Sequence, residues 1–143
     1  MENTNNRFTT MRAKSREEVF KSVFSMEFND EYLPAEVEIT DEIKNDEKYI
    51  IRTVEGIKDN REKIDEIISA SLRGRDIDRL SKQVVAILRL GTYEICIADN
   101  IPPVTAISEA VKLGDIYCEE NEVSYINGVL NGIYKSFEQN KWF

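Results

Sequence analysis

The stretch VVAILRLGTYEICIA, residues 84–98, is apolar on nearly every side of a helical projection. Val84, Val85, Ile87, Leu88, Leu90, Tyr93, Ile95, Cys96 and Ile97 leave no continuous polar stripe. A helix of this kind has no face to offer water and belongs at the centre of a domain, wrapped by other helices. Between Lys82 and Asp99 its full charges are Arg89 and Glu94. Burying either without a partner is costly, so each is read as paired, in an internal ion pair that fixes helix packing or in a contact with a partner protein.

Outward from this centre the other segments read as two-faced helices. Ser15 and Glu18 have capping-box spacing, and Val19, Phe20, Val23 and Phe24 recur at helical intervals, which predicts a first helix running to about Phe28. Asn29 to Asp41, with Pro34 and many acids, reads as a linker with at most short structure. Ile43, Ile50, Val54 and Ile57 mark one helical face and Ile64, Ile67, Ile68 and Leu72 another, with Asp59 and Asn60 as the turn and cap between them. Gly74 suits the end of the second, and Asp76 to Leu80 one short helical turn.

Pro102 and Pro103 suit a loop and the first turn of a helix with Val104, Ile107, Val111 and Cys118 on one side and Ser108, Lys112 and Asp115 on another. Asn121 is the expected cap of a last helix striped by Val123, Ile126, Val129, Leu130, Ile133 and Phe137. Gly128 and Gly132 stand one turn apart in it, and because an interior helix glycine costs about 1 kcal/mol relative to alanine, close packing against a neighbouring helix is expected there. No segment alternates with period two, and no internal repeat is present. The expected fold is all-α, two packed helical bundles of about seven helices in one compact domain. Residues 1–11 form a flexible N-terminal arm, 12–75 an N-terminal helical lobe and 76–143 a C-terminal helical lobe.

Composition narrows the chemistry. The 143 residues, 41% hydrophobic, suffice for one domain with a real core. Histidine is absent, which removes imidazole bases, shuttles and metal ligands. Cys96 and Cys118 lack paired C-x-x-C spacing and read as buried, reduced thiols. There is no Gly-rich cofactor loop and no cysteine nucleophile beside a base, so the chain is read as a non-enzyme with no metal. Met1 to Thr10 lacks the apolar core of a signal peptide and no stretch is long enough to span a bilayer, so no membrane role and a cytoplasmic location are expected.

The net charge of -8 is unevenly spread. Residues 1–16 carry Arg7, Arg12, Lys14 and Arg16 against Glu2, whereas residues 17–48 hold eleven acids and three lysines. A basic arm on an acidic body does not grip nucleic acid with its whole surface; any phosphate contacts concentrate in the arm.

The run from Leu80 to Tyr134 resembles the transcription antitermination factor NusB family. The family's A-I-L-R-L-x-x-Y-E-L appears as Ala86 to Ile95, its D-I-P-x-x-V-x-I-N-E-A as Asn100 to Ala110, and its F-V-N-G-V-L as Tyr125 to Leu130. RAKSREEVFKSVF, Arg12 to Phe24, is similar to the family's arginine-rich opening, and the resemblance covers residues 12–137. It implies an all-helical RNA-binding adaptor without a small-molecule cofactor. Such an adaptor binds boxA-type RNA together with the ribosomal protein NusE, within the RNA polymerase antitermination complex, and supports transcription of ribosomal RNA genes. The sequence leaves monomer and homodimer both open.

Arg12, Lys14 and Arg16 are the expected RNA-binding cations. They lie near a predicted helix start, where the helix dipole disfavours cations, so a phosphate is the natural partner; the other reading is an arm that balances the acidic body. Tyr125 is the candidate base-stacking residue or, alternatively, an aromatic packed against a neighbouring lobe. Phe24, Glu94 and Glu109 are the candidates for binding NusE, and the acidic linker suits a basic protein. Two departures from the family stand out: Ser108 replaces its asparagine, and Ser124 precedes Tyr125 where the family often has a cation. The second shifts the RNA footprint toward the N-terminal arm, or favours a protein-interaction module, a homodimer among the forms it could take, with weak or no RNA binding. Reversing Arg12 and Arg16 together to glutamate is expected to abolish RNA binding and leave the fold intact.

Overall fold

The computed structural model describes residues 4–139, with side chains from residue 10 onward. Six α-helices follow one another among these residues: α1 Thr4–Phe24, α2 Glu47–Asp59, α3 Arg61–Ser71, α4 Lys82–Cys96, α5 Pro103–Tyr117 and α6 Glu120–Glu138. Single 3-10 turns lie at Ser25–Phe28, Lys44–Asp46 and Ile77–Arg79, and no strand occurs among the described residues. The all-α expectation holds, with six full helices and three short turns in place of about seven helices.

The apolar segment becomes α4, and every residue from Val84 to Cys96 is buried. Ser81 starts it: the hydroxyl accepts from the Val84 amide at 3.3 Å and donates to Glu122 at 2.8 Å, so one side chain caps α4 and ties it to α6. The helix touches each of the other five, most closely α5 and α6. Its Ile87 and Leu88 are fully enclosed. A fully buried aliphatic side chain contributes about 1.5–3 kcal/mol, so α4 carries a large share of the folding energy.

Several ends and faces differ from the sequence reading. α1 begins at Thr4, inside the stretch read as an arm, while residues 1–3 lie outside the described residues. Ser15 is therefore mid-helix, and its hydroxyl donates back to the Met11 carbonyl at 3.0 Å instead of capping. Asn60 closes α2, its amide donating to the Gly56 carbonyl at 2.8 Å, and gives α3 no side-chain cap. Gly74 follows α3 with φ 90°, a left-handed conformation that glycine adopts without steric cost. α6 starts on a reciprocal capping box between Glu119 and Glu122, so Asn121 lies in its first turn.

α5 buries Ala106, Ile107, Ala110, Leu113 and Gly114, while Val104 stands exposed. The chosen stripe counted large side chains, but α5 approaches α4 and α6 closely through small ones. Gly114 would bring an added methyl within 3.2 Å of Val123. Gly128 and Gly132 behave oppositely: nothing lies within 4 Å of a methyl added to either, so close packing does not account for them. Gly128→Ala is accordingly expected to stabilise the protein by about 1 kcal/mol through helix propensity, read as a raised midpoint in urea; an unchanged midpoint would contradict the open surroundings.

Candidate nucleic-acid interface

Arg12 and Arg16 are four residues apart on α1 and point to the same side, toward α2 and α4. Arg12 grips Asp46, just before α2, with two bonds of 2.8 and 3.0 Å, and its guanidinium lies 3.9 Å from the centre of the Tyr49 ring. Arg16 grips Glu94 of α4 at 2.8 and 3.0 Å, stands 3.7 Å from Glu109 of α5, and is 5.5 Å from the Tyr49 ring. The Tyr49 hydroxyl donates to Glu94 at 3.2 Å. Asp46, Arg12, Tyr49, Arg16, Glu94 and Glu109 thus form one connected network across four helices and the 3-10 turn before α2.

Its inner half is dry. Arg16 is 4% exposed and Glu94 1%. Burial on its own lowers the Arg16 pKa, but the hydrogen bonds and charge of Glu94 outweigh it and hold the guanidinium above its ordinary value. Burial, then the Glu94 charge, push Tyr49 up as well, so its hydroxyl stays a neutral donor. Arg16, expected to meet RNA, and Glu94, expected to meet a protein partner, are paired with each other and buried in the free chain. Glu109 has a foot in each environment, with Arg16 inside and Lys112 at 3.1 Å outside.

The other candidates are dispersed. Lys14 is exposed and pairs with Glu42 of the acidic linker. Phe24 continues an aromatic row: Tyr117 and Phe20 have ring centres 4.6 Å apart, Phe20 and Phe24 6.0 Å, and Phe24 and Phe28 5.0 Å. The row ends at the surface, where Phe28 is 61% exposed and carries the Lys82 ammonium 4.2 Å from its ring. Tyr125 faces the α3–α4 loop, with Arg75 4.8 Å above its ring and its hydroxyl buried without a hydrogen-bond partner among the described residues. A cation therefore stands at Tyr125 although position 124 supplies none.

Arg89 resolves in the same manner as Arg16, holding Asp65 of α3 at 2.9 and 3.0 Å and also Glu27. Both charges of the buried stretch Val84–Cys96 are thus internally paired, Arg89 with two acids and Glu94 with Arg16. Cys96 and Cys118 are free thiols, and burial pushes them up to about 12 and about 11, so both stay protonated.

Beside Arg12 opens a cavity of about 400 Å³ lined by Lys48, Arg52, Tyr93, Asp99 and Asn100 among others. The sequence reading missed Tyr49, Lys48, Arg52 and Asn100 altogether. Arg12 among the expected cations and the requirement that Glu94 find a partner both pointed toward this region, without indicating the residues of α2 or of the α4–α5 loop.

Comparison with known proteins places the architecture. The transcription antitermination protein NusB of Acetivibrio thermocellus is 38% identical over 128 residues, 87% of this chain and 88% of the relative. A solved structure of T. maritima NusB is 33% identical with a TM-score of 0.73, covering 87% of this chain and 90% of that one. A solved complex of the antitermination factors NusB and NusE with double-stranded RNA, 23% identical, shares the fold with a TM-score of 0.73 over 89% of this chain and 98% of that one. Its relatives are transcription antitermination proteins, not enzymes. No described helix is long and apolar enough to cross a membrane. The model of the NusB family matches residues 13–135, from the middle of α1 to the last turns of α6, and this chain belongs to that family.

Proposed function

We propose that the protein is an RNA-binding transcription antitermination factor. In this reading it holds boxA-type RNA together with the ribosomal protein NusE, works within the RNA polymerase antitermination complex in the cytoplasm, and supports transcription of ribosomal RNA. The observation that carries the reading is the family match over nearly the whole chain, coinciding with a cationic surface on α1 where Arg12 and Lys14 remain accessible. The complex of NusB and NusE with double-stranded RNA supports it through the shared fold.

Arg12 and Lys14 serve RNA phosphates, since charge-assisted bonds to phosphate can replace those to Asp46 and Glu42. Tyr125 and Arg75 offer a stacked aromatic and cation for a base or phosphate. The exposed end of the Phe24–Phe28 row, where apolar ring surface meets water, is the face for NusE. Glu109 supports Arg16 from its half-exposed position. The competing reading, a protein-interaction module without RNA, draws on the charge of -8.

Titrating a boxA-type RNA and a scrambled control, with and without NusE, over a salt series separates the two. The expected result is sequence-selective, salt-sensitive binding strengthened by NusE, weakened about tenfold by Arg12→Ala. NusE binding with no RNA binding at any salt would replace this reading with the protein-interaction module.

A further inference from the structure

The cavity beside Arg12 has a composition that its structural role does not explain. Lys48 and Arg52 are one turn apart on α2 and both face solvent. Neither has an ion pair among the described residues, whereas Arg12 in the same wall is held by Asp46. Two like charges at this spacing cost helix stability, and Lys48 also sits in the first turn of α2, against the helix dipole. No ion pair among the described residues offsets either cost. With Asp46 committed to Arg12, Asp99 is the only other acid in the lining against these two cations. The groove on the opposite flank of α2 has the reverse balance, with Glu36, Glu47 and Glu55 against Lys58.

The rest of the wall suits a base as well as a phosphate. Tyr93 presents its phenol there, the hydroxyl donating to the Arg52 carbonyl at 3.4 Å, and so fixes the backbone that carries Arg52. Asn100, exposed in the α4–α5 loop, is held at φ 65° and offers both a donor pair and an acceptor. Beyond Arg12, Asn100 and Ile101 the cavity continues into a second one of about 210 Å³ reaching Pro102 and Thr105. A volume of about 400 Å³ falls in the range of about 300–1,000 Å³ that holds small organic ligands, and the adjoining cavity, which shares Arg12, Asn100 and Ile101, lengthens it. An open trench with cations along one wall fits a polymer better than an isolated nucleotide.

We propose that this trench is a strand-tracking site for single-stranded RNA, with Lys48 and Arg52 binding successive phosphates and Asn100 meeting a base edge. The inference rests on the RNA-binding function above and adds α2 and the α4–α5 loop to the recognition surface.

The test compares the full chain with its Lys48→Ala/Arg52→Ala variant, and with Lys135→Ala as a control on α6. Each is titrated with a boxA-type single-stranded RNA in the presence of NusE at several salt concentrations. The double variant is expected to bind at least tenfold more weakly, with a salt slope reduced by about 1.4, the loss of two phosphate contacts to a single strand. Its thermal midpoint is at or slightly above the wild-type value, its NusE binding without RNA is unchanged, and the control matches wild type throughout. An unchanged affinity and slope, with wild type binding RNA normally, would overturn the trench and leave the RNA-binding function standing. Failure of wild type to bind RNA would overturn both. A third arm adds adenosine monophosphate: if it binds the cavity as tightly as the RNA does, through the same two cations, the site serves a free nucleotide and the strand-tracking assignment falls.

Discussion

Arg16→Ala is expected to remove about 3–5 kcal/mol of folding stability, the range seen when one member of a buried ion pair is deleted. The size follows from what remains. Glu94, 1% exposed, would keep its charge with the Tyr49 hydroxyl as its remaining hydrogen-bond donor among the described residues. Glu109 would lose its inner partner while keeping Lys112 outside. Glu94→Gln is expected to cost less, because Glu109 at 3.7 Å still faces the guanidinium. Replacing the pair together, Arg16→Met with Glu94→Leu, should recover most of the loss, since the network would then lack both charges and not one. Urea unfolding of the three variants decides the matter; a loss below about 1 kcal/mol for Arg16→Ala would mean that water reaches the pair.

This energetic role changes how the basic stretch of α1 must be probed. Reversing Arg12 and Arg16 together would place a third carboxylate against Glu94 and Glu109, so loss of RNA binding in that variant would report unfolding. The expectation that the fold survives the double reversal does not stand against the geometry. Arg12→Ala is the milder probe, because Arg12 is partly exposed; its partner Asp46 is buried and would lose two hydrogen bonds, so the variant's urea midpoint is measured beside its RNA binding.

The fold was legible because its signals are local. The uninterrupted apolar run of α4, the stripes of α2 and α3, and the Pro102–Pro103 start of α5 each follow from spacing along a single helix. The network was less legible because its members are distant in sequence: Arg16 and Glu94 are 78 positions apart, and no periodicity links them. The need for Glu94 and Arg89 to be paired could be read from their apolar surroundings, but the partners could not. The sequence singled out Arg12 and Arg16 on one hand and Glu94 and Glu109 on the other, and divided them between two binding faces. In space they form one assembly, half of it internal. Lys48 and Arg52 were hidden differently, as ordinary cations on a two-faced helix whose place in one cavity wall, without an ion pair among the described residues, appears only once the neighbouring loop is in place.

Glycines give the sharpest separation between composition and context. Gly56→Ala is expected to destabilise by about 2 kcal/mol, even though alanine favours a helix by about 1 kcal/mol over glycine. An added methyl at Gly56 would meet three atoms of the Tyr93 phenol at 2.5–2.6 Å, and that ring is rigid, buried and tied to the Arg52 carbonyl. Relief requires the whole ring to move or α2 to lift from α4, an overpacking cost at or above the usual 1–3 kcal/mol. At Gly91 the methyl would meet the Leu130 methyl groups at 2.8 and 3.0 Å, which a rotamer change can withdraw, so the net effect of Gly91→Ala should be smaller. At Gly128 nothing opposes the gain. Stability should therefore rise in the order Gly56→Ala, Gly91→Ala, Gly128→Ala, and a Gly56→Ala variant as stable as wild type would mean that Tyr93 is free to swing. Since Tyr93 also forms a wall of the trench beside Arg12, any Gly56→Ala protein that folds should bind single-stranded RNA more weakly than its remaining stability predicts.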